Sequence, residues 1–198
     1  MNKELKKYDA NFTAGGLLFY EFKALEQILL KEDFELKIQQ EEENNYVIGI
    51  VTMSARKRII SEIKRRCHTA PIGFWNYFFQ WNDTEMKFGL LYLCFKTYPL
   101  VLDIHVEVAL KKFITGNTMT AYDIQMRLDE IASKDEHVAQ WSNKTFDKIN
   151  VQYRKALKDV GIYDGANLNR PNNVSPLFWQ YFESLNENWF LTACFLKN

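Results

Sequence analysis

Histidine and cysteine are the side chains of this sequence best suited to metal binding or nucleophilic catalysis, and the chain has three of each. They form no CxxC pair and no HExxH motif, and the cysteines are isolated and odd in number. Such cysteines are typical of a reducing cytosol rather than of a disulfide framework or a zinc site. The sequence therefore predicts no metal site and three free thiols. The six residues are His68, His105, His137, Cys67, Cys94 and Cys194.

Other catalytic signatures are also missing from the sequence. The Gly15-Gly16 pair lacks the spacing of a dinucleotide-binding or P-loop motif, and no GxSxG sequence occurs. The acidic run Glu41-Glu42-Glu43 is most simply a solvated helix face. We therefore predict a protein that is not an enzyme, with no catalytic residue and no cofactor.

Positive charge is concentrated in two segments of a chain whose 25 basic and 25 acidic side chains balance. Residues 55–68 carry six basic side chains and one acidic one, and residues 142–160 carry five and two. Helical periodicity predicts a helix over each segment, capped by Ser54 and by Ser142. Each basic segment is either a solvated helix face or a surface for a polyanion such as nucleic acid.

The second basic segment lies in a recognisable order of elements. Thr120 is placed to cap a helix, a short helix follows near residues 134–141, and Ser142 begins the longer basic helix. Gly161 ends that helix, Ile162 and Tyr163 resemble a short strand, and a tight turn follows. This order is typical of a winged helix-turn-helix, in which the longer helix enters the DNA major groove.

Phosphate contact is the chemistry that these helices offer. In a winged helix-turn-helix, the first turn of the longer helix enters the DNA major groove, and here that helix is the second basic helix. Backbone N–H groups just after Ser54 or Ser142 could also hold phosphate. Asn143 either reads a base edge or caps the helix locally. Basic side chains at a helix start oppose the helix dipole, a small cost that favours a function for Arg56 and Lys57. The candidate contact residues are Arg56, Lys57, Lys64, Arg65, Asn143, Lys144, Thr145, Lys148 and Lys155.

The remaining sequence predicts a mainly α fold with few short strands. We predict an N-terminal helix-turn-helix-like module over residues 1–69, a central helical core over 70–118, and a C-terminal winged helix-turn-helix-like module with closing helices over 119–198. The aromatic residues at 74–81 favour a packed core over a base-stacking surface, and residues 46–51 form either a strand or the approach to a helix. Charged side chains interrupt the apolar residues 88–110, which predicts a buried pair of helices rather than a membrane span. With no apolar stretch at the N-terminus to serve as a secretory signal, we expect a cytoplasmic protein.

Several segments, taken in order, resemble one known family. They are YDANFTAGGLLFYEFKAL, SARKRIISEIKRR, WNDTEMKFGLLYLCFKTYPLVLDIHVE and WSNKTFDKINVQYRKALKDVGI. Together they resemble BrxA, a small protein of the BREX bacteriophage-exclusion systems. The resemblance implies an all-helical protein with helix-turn-helix-like modules, a likeness to the antitermination factor NusB, and binding to double-stranded DNA. It also implies contacts at Arg56, Lys57, Lys64, Lys144 and Lys148.

Three functions are compatible with the sequence. The first is an accessory protein that binds double-stranded DNA mainly through phosphates. The second is an RNA-binding, antitermination-like protein, which requires exposed aromatic side chains for unstacked bases. The third is an adaptor that binds other BREX proteins through an exposed apolar patch. We expect the first, and we expect Trp75 and Trp81 to be buried if it is right.

Overall fold

The computed structural model describes residues 8–197, and within them the chain is mainly helical, as predicted. The described strand pairing is an isolated antiparallel bridge between Tyr163 and Leu168. The chain forms two compact units, one of Leu17–Thr97 and the other of residues 8–16 with 98–197. This division differs from the predicted modules, because the segment 70–118, predicted as one core, is divided between the two units. The chain passes from one unit to the other between Thr97 and Tyr98.

Helix α6 (Asp83–Thr97) is the central helix of the unit Leu17–Thr97, and side chains on all of its faces are buried. Leucine and aromatic side chains on every face of this helix are covered, so its sequence lacks the polar stripe of a surface helix. Gly89 permits a close approach here, because a Cβ on it would lie 2.7 Å from the Trp81 ring. The helices are α1 (Phe19–Ala24), α2 (Glu26–Leu29), α3 (Phe34–Asn44), α4 (Met53–Thr69), α5 (Phe74–Phe78) and α6 (Asp83–Thr97).

The other unit contains the second basic helix. It begins with the 3₁₀ turn Asn11–Ala14. Pro99 occupies the first turn of α7, which continues through a π-helical segment, His105–Leu110, into α8. The helices are α7 (Pro99–Ile104), α8 (Lys111–Ile114), α9 (Ala121–Ala132), α10 (Glu136–Ala139), α11 (Asn143–Asp159), α12 (Pro176–Ser184) and α13 (Asn188–Ala193).

Of the three predicted helix caps, two are confirmed and one is wrong. Thr120 forms a reciprocal capping box with Asp123, and the Ser142 side chain accepts a hydrogen bond from the backbone N–H of Thr145. The predicted cap at Ser54 is wrong. Helix α4 begins one residue earlier, after Thr52, and no side chain caps it. Residues 46–51, for which we left a strand or a helix approach open, form an irregular loop that leads into α4.

Candidate nucleic-acid interface

Helix α11 is held by a stripe of apolar side chains on one face, which leaves its other face to solvent. Asn150, at the edge of the stripe, donates a hydrogen bond of 2.7 Å from Nδ2 to the backbone carbonyl of Ala121 at the start of α9. This contact fixes α11 against the first turn of α9. The buried apolar residues are Phe146, Ile149, Tyr153, Ala156 and Leu157.

The exposed face of α11 begins with unpaired cations. Lys144 and Lys148 lie one turn apart, are exposed, and make no ion pair with any described residue. Asn143 is also exposed, and because Ser142 supplies the helix cap, its amide is not used for capping. Thr145 is half-buried, and its hydroxyl lies 3.0 Å from that of Ser142, so it supports the cap.

Cations further along α11 have partners within the protein. Lys155 forms an ion pair with Asp159 one turn later. Arg154 donates from Nε to the side-chain oxygen of Asn150 at 2.9 Å, and the Lys158 ammonium lies 5.8 Å from the centre of the Tyr163 ring. The ion pair of Lys155 is exposed and therefore weak, so this side chain can reorient towards a phosphate at small cost.

The elements around α11 follow the predicted order. Helix α9 is followed by the single turn of α10, which Asp135 caps, and then by Ser142 and α11. Gly161 adopts φ +82° just beyond the end of α11, as expected for a glycine that ends a helix. The predicted strand at Ile162 and Tyr163 is reduced to the single bridge. The single O–H of Tyr163 lies within hydrogen-bond distance of two acceptors, the carbonyls of Gly165 (2.7 Å) and Met119 (3.0 Å).

Arg56 of the first basic helix does not face outward, so the expectation that it is exposed is wrong. Its guanidinium is buried, and it donates to the backbone carbonyls of Glu42 (2.6 Å), Ile50 (3.1 Å) and Glu43 (3.2 Å). These carbonyls belong to the end of α3 and to the following loop. Arg56 therefore caps α3 and is not available to a phosphate.

The other predicted contacts of α4 are divided between solvent and internal partners. Lys57 is exposed and unpaired among the described residues. Lys64 donates to Gln39 of α3, and its ammonium lies 3.8 Å from a carboxylate oxygen of Glu42. Arg65 forms an ion pair of 3.1 Å with the buried Glu62. Helix α4 therefore presents fewer free cations than its sequence suggests.

Glu41 is the main feature that the sequence did not reveal. We expected the run of three glutamates to be a solvated face, but the Glu41 carboxylate is buried. Its oxygens accept hydrogen bonds from three consecutive backbone N–H groups, those of Tyr46 (3.0 Å), Val47 (2.8 Å) and Ile48 (2.9 Å). A fixed carboxylate thus holds the loop between α3 and α4.

His105 lies in a buried site, as its position in an apolar segment predicted. A carbonyl can only accept, so His105 donates from Nε2 to the Ala193 carbonyl at 2.6 Å, and its Nδ1 accepts from the Tyr153 hydroxyl at 2.9 Å. Burial lowers the pKa of His105 to about 4, against the opposing effect of the Ala193 hydrogen bond. The imidazole is therefore neutral and structural.

The thiols are buried as well. Burial raises the pKa of Cys67 to about 12 and that of Cys94 to about 11, and it raises the pKa of Cys194. Thiols of this kind are poor nucleophiles because they remain protonated. Within residues 8–197, no three histidine, cysteine or acidic side chains lie close enough to hold a metal ion.

The aromatic segment forms part of the core of its unit. Trp75 is buried and stacks on Phe22, with ring centres 5.4 Å apart. Trp81 is half-buried, and its ring meets those of Phe74 and Phe78 edge-on. None of the helices described for residues 8–197 is long and apolar enough to cross a membrane.

Comparison with known proteins places this arrangement in a class and then in a family. The fold is that of a helical protein from Magnetospirillum magneticum, described as uncharacterized, whose crystal structure matches with a TM-score of 0.72 and 19% identity over 95% of this chain and 98% of that one. A sequence model of the BrxA family matches residues 6–178. The chain belongs to the BrxA family.

A curated relative leads to the same family. The BREX protein BrxA of Bacillus cereus (strain H3081.97) is 25% identical over 164 residues, which cover 82% of each chain. Membership of the family gives this chain an accessory role in phage defence.

Proposed function

We infer that this chain is a non-enzymatic accessory protein of a BREX system that binds double-stranded DNA through the exposed face of α11. The observation that carries this proposal is the pair Lys144 and Lys148, which are exposed and unpaired in the first two turns of a helix whose backbone start is capped by Ser142. Duplex DNA carries one phosphate charge per about 1.7 Å of axis, so cations one turn apart match it well.

The order of elements also supports duplex binding. Helices α9, α10 and α11 and the turn closed by Tyr163 and Leu168 follow one another as in a winged helix-turn-helix. In that arrangement α11 is the recognition helix, and Asn143 stands at the end that reaches base edges. Because few direct base-reading side chains are present, we propose that most contacts are made to phosphates.

Helix α4 has a smaller part in this proposal than its sequence suggested. Arg56 is committed to α3, and Lys64 and Arg65 have partners inside their own unit. Lys57 alone among the four predicted contacts is exposed and unpaired within the described residues. We therefore assign the phosphate contacts to α11.

The burial of Trp75 favours duplex DNA over RNA. RNA recognition relies on aromatic side chains that stack on splayed bases. Trp75 is buried and stacked on Phe22, as expected for a duplex-binding protein, whereas Trp81 is only half-buried, with its ring edge-on to Phe74 and Phe78. The RNA-binding alternative therefore has little support from the aromatic segment.

A charge-reversal experiment tests the duplex proposal. We expect Lys144→Glu with Lys148→Glu to weaken binding to a fluorescent ~25-bp duplex and to make the slope of log K against log salt shallower by about 2, because about 0.9 is lost for each phosphate contact. Fluorescence anisotropy across a salt series, with an RNA hairpin as competitor, measures both effects.

The matched control is Lys31→Glu with Lys134→Glu, which changes the net charge equally at exposed lysines outside α11. Equal loss in both double variants would show that only net charge matters. An unchanged affinity in the α11 variant, or preference for the RNA hairpin, would contradict the proposal.

A further inference from the structure

The segment 165–173, which follows α11 in the chain, combines one cation with several amides and has no carboxylate. Its sequence is GANLNRPNN, so four of its nine residues are asparagine and one is Arg170. No aspartate or glutamate occurs anywhere in residues 165–182. Arginine and asparagine are among the side chains with which proteins read the DNA minor groove, because both can donate hydrogen bonds to its acceptors. We call residues 165–173 the asparagine loop.

The first part of the asparagine loop is held in one conformation by hydrogen bonds. The Asp164 carboxylate accepts from the backbone N–H groups of Ala166 at 2.9 Å and Asn167 at 2.8 Å. The backbone N–H of Asn169 then donates to the carbonyl of Ile162 at 2.9 Å, just beyond the end of α11. The backbone is therefore ordered up to the residue before the arginine, and little of its conformational entropy remains to be lost on binding.

Three polar side chains of the asparagine loop are available to a ligand. Arg170 is exposed and has no hydrogen bond or ion pair with any residue that the structure describes. Asn172 and Asn173 are also exposed, and their amides make no hydrogen bond within residues 8–197. The nearest carboxylate along the chain, that of Asp164, is hydrogen-bonded to N–H groups of the loop itself. The loop therefore presents hydrogen-bond donors and one positive charge to solvent.

The asparagine loop lies at the opposite end of α11 from the free lysines. A Cβ on Gly161 would lie 3.9 Å from the side-chain oxygen of Asn172, so the loop returns to the end of this helix. The helical rise places Gly161 roughly 20 Å from Lys148 along the axis. A major groove and the adjacent minor groove are about half a turn apart, or about 17 Å. Lys158, which is exposed and has no ion pair with a described residue, lies between the two ends, where a phosphate strand separates the grooves.

We propose that the asparagine loop enters the minor groove of the duplex that α11 binds, and that Arg170 makes the protein prefer a narrow, A·T-rich groove. This inference rests on the duplex binding proposed for α11. A narrow groove has an enhanced negative potential, and a guanidinium enters it more readily than an ammonium because it is more weakly hydrated. A G·C pair instead places the guanine N2 amino group, a donor, where the arginine and the amides of Asn172 and Asn173 need acceptors.

Three duplexes of ~25 bp test the groove and the residue together. One is A·T-rich, one is G·C-rich, and the third is the G·C-rich sequence with hypoxanthine in place of guanine, which removes the minor-groove amino group and leaves the major-groove edge unchanged. We expect the unchanged full chain to bind the first and third at least about fivefold more tightly than the second. Arg170→Ala should remove this preference, whereas Arg170→Lys should reduce it and keep the salt dependence. Fluorescence anisotropy across a salt series measures both.

The matched control is Lys31→Ala, which removes one positive charge at an exposed lysine of the other unit and should keep the preference. Equal binding of the three duplexes by the unchanged chain, or a preference that survives Arg170→Ala, would overturn the proposal. So would a hypoxanthine duplex that behaves like the G·C-rich one, since the preference would then arise in the major groove.

The same titrations separate this proposal from the one on which it rests. Lys144→Glu with Lys148→Glu should weaken binding to all three duplexes by a similar factor, because phosphate contacts carry no sequence information. Duplex binding without a preference would overturn the minor-groove contact alone. Failure of the unchanged chain to bind any of the duplexes would overturn both the minor-groove contact and the duplex binding of α11.

Discussion

At the residue scale, two neighbouring side chains of the same charge have opposite roles. Arg56 and Lys57 are adjacent basic residues in the first turns of α4, yet one is buried as a cap and the other is exposed and unpaired among the described residues. Periodicity placed both outside the apolar face. It did not reveal that the chain returns at Glu42 and Glu43 to meet Arg56, because that contact depends on the path of the loop.

Replacement of Arg56 tests its structural role. We expect Arg56→Met to lower the free energy of unfolding by about 2–3 kcal/mol, because buried carbonyl acceptors lose their donors. Lys57→Met, at an exposed position, should change it by less than about 0.5 kcal/mol. Urea unfolding followed by circular dichroism measures both. Equal stability of the two variants would mean that Arg56 is not a cap.

His105 makes stability depend on pH. Its folded pKa of about 4 lies below the usual 6.5, so the unfolded chain binds a proton that the folded chain does not. Its contribution is fully present above pH 6.5 and is lost as the pH falls from 6.5 towards 4, by roughly 3 kcal/mol in total. Urea titrations at several pH values should show this slope, and His105→Gln should remove it. A slope that persists in His105→Gln would assign it to other groups.

At the element scale, the helices that the sequence predicted best are those whose ends are set by nearby residues. Thr120 and Ser142 cap helices through contacts three residues away, so the sequence alone reveals them. The start of α4 is set instead by the loop that Glu41 and Arg56 hold. The π-helical segment His105–Leu110 also has no local signature, because it forms where buried side chains from other helices meet it.

Two serine substitutions distinguish a real cap from an apparent one. We expect Ser142→Ala to lower the free energy of unfolding by about 1 kcal/mol, since the backbone N–H of Thr145 loses its acceptor. Ser54→Ala should have an effect within about 0.5 kcal/mol, because Ser54 lies inside α4 and is exposed. Denaturant unfolding of both variants provides the comparison. A larger loss for Ser54→Ala would contradict the observed start of α4.

At the scale of the whole molecule, balanced charge means that polyanions are attracted only by local groups of cations. The chain carries 25 basic and 25 acidic side chains, and much of its basic charge is paired internally. Charge counts along the sequence therefore overstated the basic surface of α4. They were more reliable for α11, where the free lysines lie opposite a clear apolar stripe.

Both units of the chain carry buried thiols. Cys67 and Cys94 lie in Leu17–Thr97, and Cys194 lies in the other unit. We expect all three to resist alkylation in the native protein and to react together in denaturant, because burial keeps them protonated and covered. Pulsed iodoacetamide labelling with peptide mass spectrometry measures each one. Rapid native labelling of any cysteine would contradict its burial.

In the loop between α3 and α4, the side chains that hold the backbone are not the side chains that face solvent, and this has an evolutionary consequence. Glu41 and Arg56 fix the backbone of this loop through its main-chain atoms, so the fold places almost no demand on the exposed side chains of Tyr46, Val47 and Val51. Sequence drift at Tyr46, Val47 and Val51 is then nearly free of cost to stability. We therefore expect these exposed positions to tolerate substitution, whereas Glu41 and Arg56, whose side chains hold the backbone of the loop, should not.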